Sequence, residues 1–590
     1  MKFIFSYLKK YKRQAIIALI IKIFGTLSEL TLPYILEHML DEIAPTKNLG
    51  LALLWGGIMI AIALLTRFFN VTSNRQGSAL AQKVTYDIRK DLFNHSIKLS
   101  GEQMDKLGLP SIISRMTSDS YNIQGFIRAM MAVGIRGPIL LVGGIVITLI
   151  MDVSMASVLC IITPIVTACV IILSIKGIPL FDRVQGFLDK VVRTMRENIT
   201  GILVVKALSK EKYEKQRFSK ANNDLTKAER NANIVMSLPS PLMHLFLNIG
   251  LSIVVLVGAY RVNGGFAKPG VILAFLTYFN LILNGVMGLR RIFMMLPKAN
   301  ASANRIKEVI DAPNTLMLLP QSSAAVTDSN AYIVFDNVSF GYNKYSENID
   351  SGNFDGGKRQ LSLEGIDFEI EKGGSLGIIG ATGSGKTSIV NLLMRFYDTS
   401  SGNIFVGGKD IRTYPLSELR SMFGVVFQND VVFADTLEEN IRFGREVSNS
   451  EIEVAASDAC AAEYIEEYSD KYLYKAAIHG ANLSGGQKQR LLISRALAAK
   501  PEILILDDAS SALDYKTDAA LRKAIGENYK TSTTIVIAQR ISSIMSLDKI
   551  LMLDEGKILG YGTHDELMKN CPEYRDIYNV QMGEREVKNG

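Results

Sequence analysis

The sequence has few cysteines, and their spacing would neither pair them nor build a metal site. Its 590 residues include only Cys160, Cys169, Cys460 and Cys571. Disulfide frameworks and zinc sites need cysteine or histidine at short, characteristic spacings, which these scattered positions do not provide. A disulfide scaffold and a cysteine-based metal site are therefore excluded, and all four cysteines are interpreted as structural.

Charge is missing from several long stretches, all before residue 300. Residues 153–175 hold 23 positions without a charged side chain. At about 1.5 Å per residue, a helix of that length is about 35 Å long and can cross a hydrocarbon core of about 30 Å. Similar uncharged runs occupy 48–66, 137–151, 231–260 and 269–289. We therefore predict an all-α membrane module, residues 1–310, with six spans near 14–40, 50–71, 131–151, 154–176, 240–261 and 270–295.

A cleavage site for a signal peptide is also missing. No small-residue motif follows the first apolar stretch, and the helical pattern continues through Leu30 to Leu40. Residues 1–30 are therefore interpreted as an interfacial helix that leads into the first span.

The formal net charge of +7 is small for this length, and its placement is more informative than its size. Basic residues at 9–13 precede the first span and others at 75–90 follow the second, whereas the opposite loops are short. This asymmetry predicts a cytoplasmic N-terminus. Nucleic-acid binding is the alternative explanation of the N-terminal cluster, and we set it aside because an apolar span follows at once.

Two ionisable residues, Lys22 and Glu29, lie within the first predicted span, on nearly the same helical face. Ionisable groups at membrane depth usually face the bundle interior or a wet cavity. Three interpretations stay open: a substrate cavity, a structural ion pair, or Lys22 reaching for the cytoplasmic interface. In a substrate cavity, Glu29 is expected to favour cationic substrates.

The rest of the chain divides into helical extensions, a linker and a second module. Residues 72–128 and 177–236 carry apolar positions at helical spacing among charges, so they are expected to continue the spans into the cytoplasm. Residues 311–330 have the composition of a linker. Residues 331–590 alternate strand and helix patterns, which predicts a cytoplasmic α/β domain, with a polar surface loop at 343–360.

A glycine-rich loop between a predicted strand, Ser375–Ile379, and a predicted helix, Ser388–Tyr397, fits the phosphate-binding pattern G-x-x-x-x-G-K-[ST]. Glycines allow a turn that directs backbone N–H groups at phosphate oxygens, and the helix N-terminus and a lysine add positive charge. The nucleotide-binding residues predicted here are Gly380, Ala381, Thr382, Gly383, Ser384, Gly385, Lys386, Thr387 and Ser388.

Two further segments support a nucleotide site. Ile503–Asp507 is four apolar residues ending in a carboxylate, as expected of a buried parallel strand that presents Asp507 to the Mg²⁺ of the nucleotide. Thr387 is the second predicted Mg²⁺ ligand. A second glycine-rich helix start comprises Ser484, Gly485, Gly486 and Gln487, the last four residues of LSGGQ. A monomeric nucleotide-binding protein has no use for a second such start.

With these three segments, the sequence resembles the ATP-binding cassette (ABC) family over essentially the whole chain. The resemblance implies a P-loop NTPase fold, ATP and Mg²⁺ as ligands, and an LSGGQ segment that closes over ATP on a second cassette. It also implies that Tyr342 stacks on adenine and that Gln428 senses Mg²⁺ and binds with the nucleotide. Six spans ahead of one cassette are typical of exporter half-transporters.

Asp508 and Gln539 depart from the family pattern, and Ile478 and His479 stand where a Glu–Arg-like pair is expected just before LSGGQ. Active cassettes carry a glutamate, the general base, where this chain has Asp508, and a histidine where it has Gln539. Aspartate is one methylene shorter, so its carboxylate falls about 1.5 Å short, and a misplacement near 1 Å can cost about 100-fold in rate. These catalytic positions therefore predict a degenerate ATP site, as in one subunit of bacterial heterodimeric exporters, unless they are tolerated substitutions.

Three functional hypotheses follow. The favoured one is a subunit of a heterodimeric exporter, in the plasma membrane of a bacterium, that moves a hydrophobic or amphiphilic substrate outward. The others are a homodimeric exporter with two slow sites, and an ATP-gated channel or regulator. Membrane lipid is an expected partner and nucleic acid is not. The substrate itself is not encoded in any recognisable motif.

Overall fold

The computed structural model describes residues 1–313, 315–320, 331–342 and 361–586. It divides into two compact units. The first comprises Met1–Lys98 and Leu109–Ala312, and the second comprises Leu99–Gly108 and Pro313–Gly590. The predicted loop at 343–360 and most of the predicted linker lie outside the described residues. Residues 99–108, which lie within the range predicted for the membrane module, group with the second unit.

Twelve α-helices lie in the first 312 residues. They are α1 Lys2–Lys10, α2 Lys12–His38, α3 Leu49–Ser96, α4 Gly101–Leu107, α5 Leu109–Ser114, α6 Ser120–Ala129, α7 Arg136–Met151, α8 Val153–Thr200, α9 Ile202–Ala207, α10 Glu211–Ser237, α11 Pro239–Asn263 and α12 Pro269–Ile310. Single π-helical turns at Met39–Ile43, Arg115–Asp119 and Met130–Gly134 join several of them into longer helical stretches.

The prediction of six spans is confirmed: within the described part of the chain, six helical stretches are long and apolar enough to cross a membrane. These stretches contain few charged side chains, because lipid cannot pair with a charge. They are helical because every backbone polar group must form its hydrogen bond within the segment. Two of these helices have N-cap side chains. The Asn48 side chain accepts hydrogen bonds from backbone amides in the first turn of α3, and the Asp152 side chain accepts one from the first turn of α8.

The helices α3 and α8 are 48 residues each, about 72 Å at 1.5 Å per residue, which is far longer than a bilayer is thick. Both spans therefore continue beyond the membrane, as the charged helical patterns predict. The extension after the second span ends at Ser96, however, rather than running on to residue 128. Ser100 and Gln103 form a capping box that begins α4, and Gly108, at φ +71°, ends it.

A buried carboxylate joins two segments of the first unit. Asp119, the last residue of the π-helical turn Arg115–Asp119, is buried. Its carboxylate accepts a hydrogen bond from the Ser302 hydroxyl at 2.8 Å and forms an ion pair with Arg305. Both residues lie on α12.

The described residues from 315 onward add nine α-helices and ten strands. The helices are α13 Lys386–Leu393, α14 Leu416–Ser421, α15 Leu437–Arg442, α16 Asn449–Asp458, α17 Ala462–Glu467, α18 Gly485–Leu497, α19 Tyr515–Asn528, α20 His564–Asn570 and α21 Pro572–Glu586. The strands are β1 Ile333–Phe340, β2 Leu363–Ile370, β3 Ser375–Gly380, β4 Ser401–Val406, β5 Lys409–Asp410, β6 Phe423–Val426, β7 Ile503–Asp507, β8 Thr533–Ile537, β9 Lys549–Asp554 and β10 Lys557–Gly562.

These strands form two sheets. One is antiparallel, in the order β2-β1-β4-β5. The other, in the order β10-β9-β3-β8-β7-β6, is parallel apart from β10 at its edge. Ile503–Asp507 is buried at all five positions between two parallel neighbours, as predicted. In open parallel sheets ligands bind beyond the carboxyl ends of the strands, which is where Gly380, Asp507 and Ile537 lie.

Candidate functional site

A cavity of about 330 Å³ lies at the carboxyl ends of β3, β7 and β8. It is lined by Tyr342, Ser362, Thr382, Gly383, Gly385, Lys386, Thr387, Ser388, Gln428, Asp507, Asp508, Ile537, Ala538 and Gln539. Eleven of these residues were predicted from the sequence as ATP or Mg²⁺ contacts or as catalytic positions. The fold therefore brings together segments that are up to about 200 residues apart in the chain.

The glycine-rich loop turns sharply between β3 and α13. Gly383 and Gly385 have φ values of +86° and +104°, which residues with a side chain rarely adopt. A Cβ on Gly380 would lie 2.1 Å from the carbonyl oxygen of Leu553, so the loop leaves β3 with no room for a side chain. The helix that follows begins at Lys386, so the first backbone N–H groups of α13 have no carbonyl partner within the helix.

Lys386 lies folded against this loop. Its Nζ donates to the carbonyl oxygens of Gly380, at 2.9 Å, and Ala381, at 2.7 Å. An ammonium group has three protons, so one is left for a further acceptor. Burial lowers the pKa of Lys386, while the nearby Asp507 and Asp508 raise it. The backbone carbonyl groups of Gly380 and Ala381 therefore position Lys386, although neither residue lines the cavity itself.

Ser384 is buried beneath the loop, with 2% of its surface exposed, and it does not line the cavity. Its backbone carbonyl accepts a hydrogen bond from Gly556. Its contact with nucleotide stays a prediction, and the hydrogen bond from Gly556 supports the turn.

Thr387 and Asp507 meet as a hydroxyl–carboxylate pair. The Thr387 hydroxyl donates to Asp507 at 3.3 Å, and Gln428 lies exposed on the same cavity. Burial raises the pKa of the Asp507 carboxyl group, and the neighbouring Asp508 adds to the rise; the Thr387 hydrogen bond and Lys386 offset it only in part. Among the described residues no cluster of three His, Cys, Asp or Glu could hold a metal by itself. This donor set fits Mg²⁺, which takes one or two protein oxygens and completes its shell with water and phosphate.

Tyr342 stands at the edge of the cavity, held by polar and aromatic contacts. Its hydroxyl lies 3.1 Å from the Ser388 hydroxyl and accepts a hydrogen bond from the Asn391 amide at 3.1 Å. Its ring packs edge-on against Phe340 and Tyr397, with centroids 4.8 and 5.2 Å away. The ring is thus fixed next to the loop, where a base could stack on it.

Asp508 and Gln539 are hydrogen-bonded to each other. The Gln539 side-chain amide donates to the Asp508 carboxylate at 3.1 Å. Asp508 has a φ of +52°, a left-handed conformation that aspartate tolerates better than most residues. Burial raises the pKa of its carboxyl group. Gln581 on α21 holds the backbone on either side, since it donates to the Gln539 carbonyl and accepts from the Ile541 amide.

The LSGGQ segment is outside this cavity. Ser484 and Gln487 form a capping box at the start of α18, in which the serine hydroxyl accepts from the Gln487 amide at 3.2 Å. Gln489, one turn into the helix, binds the segment Ser511–Asp514 by donating to the Ser511 hydroxyl and accepting from the Ala512 amide. The backbone N–H groups of Gly485 and Gly486 begin the helix and have no intrahelical carbonyl partner.

Sequence reasoning missed four residues here. Ser362, Ile537 and Ala538 line the cavity, and Gln581 anchors the loop after β8. The sequence did contain a signal for Ile537 and Ala538: they lie at the carboxyl end of the apolar strand β8, which pairs with β7 in parallel, so a position at the ligand edge of the sheet could have been expected. None existed for Gln581, a polar residue in a helix far along the chain.

The comparisons with known proteins agree with this geometry. Residues 15–287 match the profile of the ABC transporter transmembrane region, and 363–511 match that of the ABC transporter. The chain is 32% identical to the uncharacterized ABC transporter ATP-binding protein YfiB of Bacillus subtilis, over 98% of each sequence. It is 28% identical to the putative ABC transporter ATP-binding protein exp8 of Streptococcus pneumoniae, over 99% of this chain and 97% of that protein.

A solved bacterial Atm1-family ABC exporter with ATP bound has a similar fold, with a TM-score of 0.76 at 24% identity, covering 97% of this chain and 98% of the other. The profiles, the full-length relatives and the fold agree, and the chain belongs to the ABC transporter family.

Proposed function

We propose that the chain is one subunit of an ATP-driven exporter whose own ATP site is degenerate. It binds Mg-ATP, hydrolyses it slowly, and completes the working site of a second cassette subunit. The observation that carries this proposal is the pair formed by Asp508 and Gln539, which stand where a general base and a histidine are expected.

The cavity has the donors that a nucleotide triphosphate requires. The N-terminal amides of α13 and the third proton of Lys386 are available to phosphate oxygens, and Tyr342 offers a ring to the adenine. Thr387, Gln428 and Asp507 would hold Mg²⁺, which neutralises phosphate charge when it is bound. These residues make ATP binding the retained activity.

Hydrolysis at this site is expected to be slow for two reasons. The Asp508 carboxylate is about 1.5 Å shorter in reach than that of a glutamate, and misplacement near 1 Å can cost about 100-fold. It is also bound to the Gln539 amide, which can donate a hydrogen bond to phosphate but cannot carry a proton or a positive charge. Neither residue can perform general base catalysis well.

The LSGGQ segment supports a second cassette subunit. The free amides of Gly485 and Gly486 form an anion-binding helix start that does not belong to this chain's own cavity. A phosphate held by a partner is the ligand that fits them. Because this segment is intact while Asp508 and Gln539 depart from the pattern, the partner that supplies the missing glutamate and histidine is expected to be a different chain.

For the setting, we propose the plasma membrane of a bacterium, with the N-terminus and the cassette in the cytoplasm. The basic residues before the first span support this orientation. The substrate is expected to be hydrophobic or amphiphilic. A homodimeric exporter with two slow ATP sites would share every feature above except the different partner chain. An ATP-gated channel would share the ATP binding but would not transport a substrate.

The test is the fate of bound nucleotide on the purified chain. Wild type is expected to bind Mg-ATP and retain it mostly as ATP, with turnover about 100-fold below that of an active cassette. Lys386→Ala should lose the binding, and Lys523→Ala, an exposed surface lysine, should keep it. Vigorous hydrolysis by the chain alone would overturn the degenerate site. ATP-stimulated uptake of a labelled amphiphile into inverted vesicles would separate a transporter from a channel.

A further inference from the structure

The first unit contains a polar cavity of about 410 Å³ among the first three spans. Residues from α2, α3 and the start of the third span line it: Lys22, Glu29, Leu32, Ala63, Thr66, Arg67, Asn70, Asn74, Ala132, Val133 and Arg136. Ligand pockets measure about 300–1,000 Å³, so this volume can take a small polar group.

Lys22 is the buried cation of this cavity, with 2% of its surface exposed. Its Nζ donates to the side-chain oxygens of Asn70, at 2.9 Å, and Asn74, at 3.1 Å. Amide oxygens satisfy hydrogen bonds but bring no negative charge. A buried charge without an opposite charge is costly, so an anion in this cavity would be stabilised.

The carboxylate that lines the cavity is already paired. Glu29 forms a two-pronged ion pair with Arg136, with contacts of 2.6 and 3.1 Å. Within the described part of the chain, no carboxylate lies at ion-pair distance from Lys22 or Arg67. The lining therefore holds three cations and one carboxylate, and two of the cations are uncompensated.

The pairing of Glu29 with Arg136 bears on the charge of substrate that this cavity would favour. Glu29, if it lined a substrate cavity, was expected to favour cationic substrates. It does line the cavity, but Arg136, which the sequence did not single out, neutralises it. The same cavity therefore repels a cation and attracts an anion.

The cavity lies in the cytoplasmic half of the predicted spans. Lys22 is near the start of the first span, Arg67 directly follows the uncharged run 48–66, and Arg136 is near the start of the third. With a cytoplasmic N-terminus, all three lie toward the inner leaflet. An occupant would reach them from that leaflet or from the cytoplasm.

We propose that this cavity binds the anionic group, a phosphate or carboxylate, of an amphiphile. Lys22 supplies a fixed positive charge, and Arg67 supplies a planar donor fork that matches either anion. The inference rests on the proposed function, for which it names a substrate class. The anion can belong to a bilayer lipid or to a free amphiphile.

The test measures binding to the purified full chain in detergent, without ATP, by native mass spectrometry. The probes are phosphatidylglycerol, phosphatidylcholine with the same acyl chains, and dodecyl phosphate. Wild type is expected to bind phosphatidylglycerol and dodecyl phosphate in preference to phosphatidylcholine. Displacement of phosphatidylglycerol by dodecyl phosphate would assign the cavity to free amphiphiles, and resistance to displacement would assign it to lipid.

Three variants and a control make the test specific. Lys22→Gln and the exposed Arg67→Gln should each weaken binding of the anionic probes roughly tenfold, the value of one charged hydrogen bond. Glu29→Gln should strengthen binding, because it frees Arg136. Arg13→Gln removes the same charge from α2 outside the cavity and should change nothing.

Equal binding of the two phospholipids would overturn the proposal, as would a loss of anion binding in Glu29→Gln. Unchanged binding in both Lys22→Gln and Arg67→Gln would also overturn it; the exposed position of Arg67 keeps that variant informative if Lys22→Gln does not fold. Because no nucleotide is present, failure here leaves the ATP measurements untouched. Fast ATP turnover by the chain would likewise leave this cavity's chemistry standing.

Discussion

At the scale of single residues, the structure explains how aspartate and glutamine fit where glutamate and histidine are expected. Asp508 lies in the left-handed region, where the short side chains of aspartate and asparagine are the best tolerated after glycine. Its carboxylate meets the Gln539 amide at 3.1 Å, so the two substitutions complement each other. The sequence could show each departure but not their contact, because 31 residues separate them in the chain.

The Mg²⁺ assignment is tested by a residue-scale prediction at Asp507. Mg²⁺ is expected to tighten ATP binding to wild type, and this dependence should largely disappear in Asp507→Asn, which keeps the shape but loses the charge. Asp554→Asn is the matched control, since Asp554 ends the parallel strand β9 but does not line the cavity. The measurement is ATP affinity with Mg²⁺ and with a chelator. A full Mg²⁺ effect in Asp507→Asn would reject this residue as a ligand.

At the scale of elements, the helix that follows LSGGQ depends on its cap. Ser484 and Gln487 form a capping box at α18, as Ser448 and Glu451 do at α16. Removing such a cap costs about 1 kcal/mol of local stability. Of these two helices, α18 alone begins with two glycines and carries the proposed contact to the partner's phosphate.

The two caps therefore make a matched pair of variants. Ser484→Ala and Ser448→Ala should each speed hydrogen exchange in the first turn of their own helix, by roughly fivefold for about 1 kcal/mol. Only Ser484→Ala should also lower ATP turnover in the assembled transporter. Equal turnover in both variants would show that the start of α18 has no part in hydrolysis.

Elements also show what local pattern could and could not predict. The strand Ile503–Asp507 was predicted to the residue, because apolar runs ending in a carboxylate are typical of buried parallel strands. The helix predicted at Ser388–Tyr397 instead begins at Lys386 and ends at Leu393. The helix starts earlier because the glycine-rich turn leads directly into its first turn. It ends earlier because Arg395 adopts a φ of +52°, which is outside the helical region.

At the scale of the whole molecule, long-range pairing was the part that local pattern could not supply. Missing charge predicted the six spans, because each span must satisfy its own backbone. The cassette was expected from the resemblance that the glycine-rich loop, the strand ending at Asp507 and LSGGQ carry. The pairing of Glu29 with Arg136 joins residues 107 positions apart, and no local pattern encodes it. The clustering of residues 99–108 with the second unit is likewise a tertiary result.

The last prediction concerns the assembled transporter, because it tests the proposed asymmetry. The purified chain should hydrolyse ATP slowly, and activity should appear when it is combined with a second half-transporter that carries glutamate and histidine at the corresponding positions. That activity should require Gly485 of this chain, whose amide would stabilise the negative charge developing on the partner's γ-phosphate. Gly485→Pro removes that N–H at the first position of α18, where a helix tolerates proline, and should lower the activity about 100-fold or more, the usual cost of losing one such donor.

The two sites should respond unequally to the same change. Replacing the partner's glutamate should abolish nearly all turnover. Asp508→Glu should raise turnover only modestly, because the Gln539 amide still cannot take up a proton or carry a positive charge. Gly526→Ala, an open position on α19, is the control for a glycine change without effect. If the chain alone matched the mixed complex in steady-state ATP hydrolysis, the asymmetric assembly would be wrong and the homodimer would be favoured.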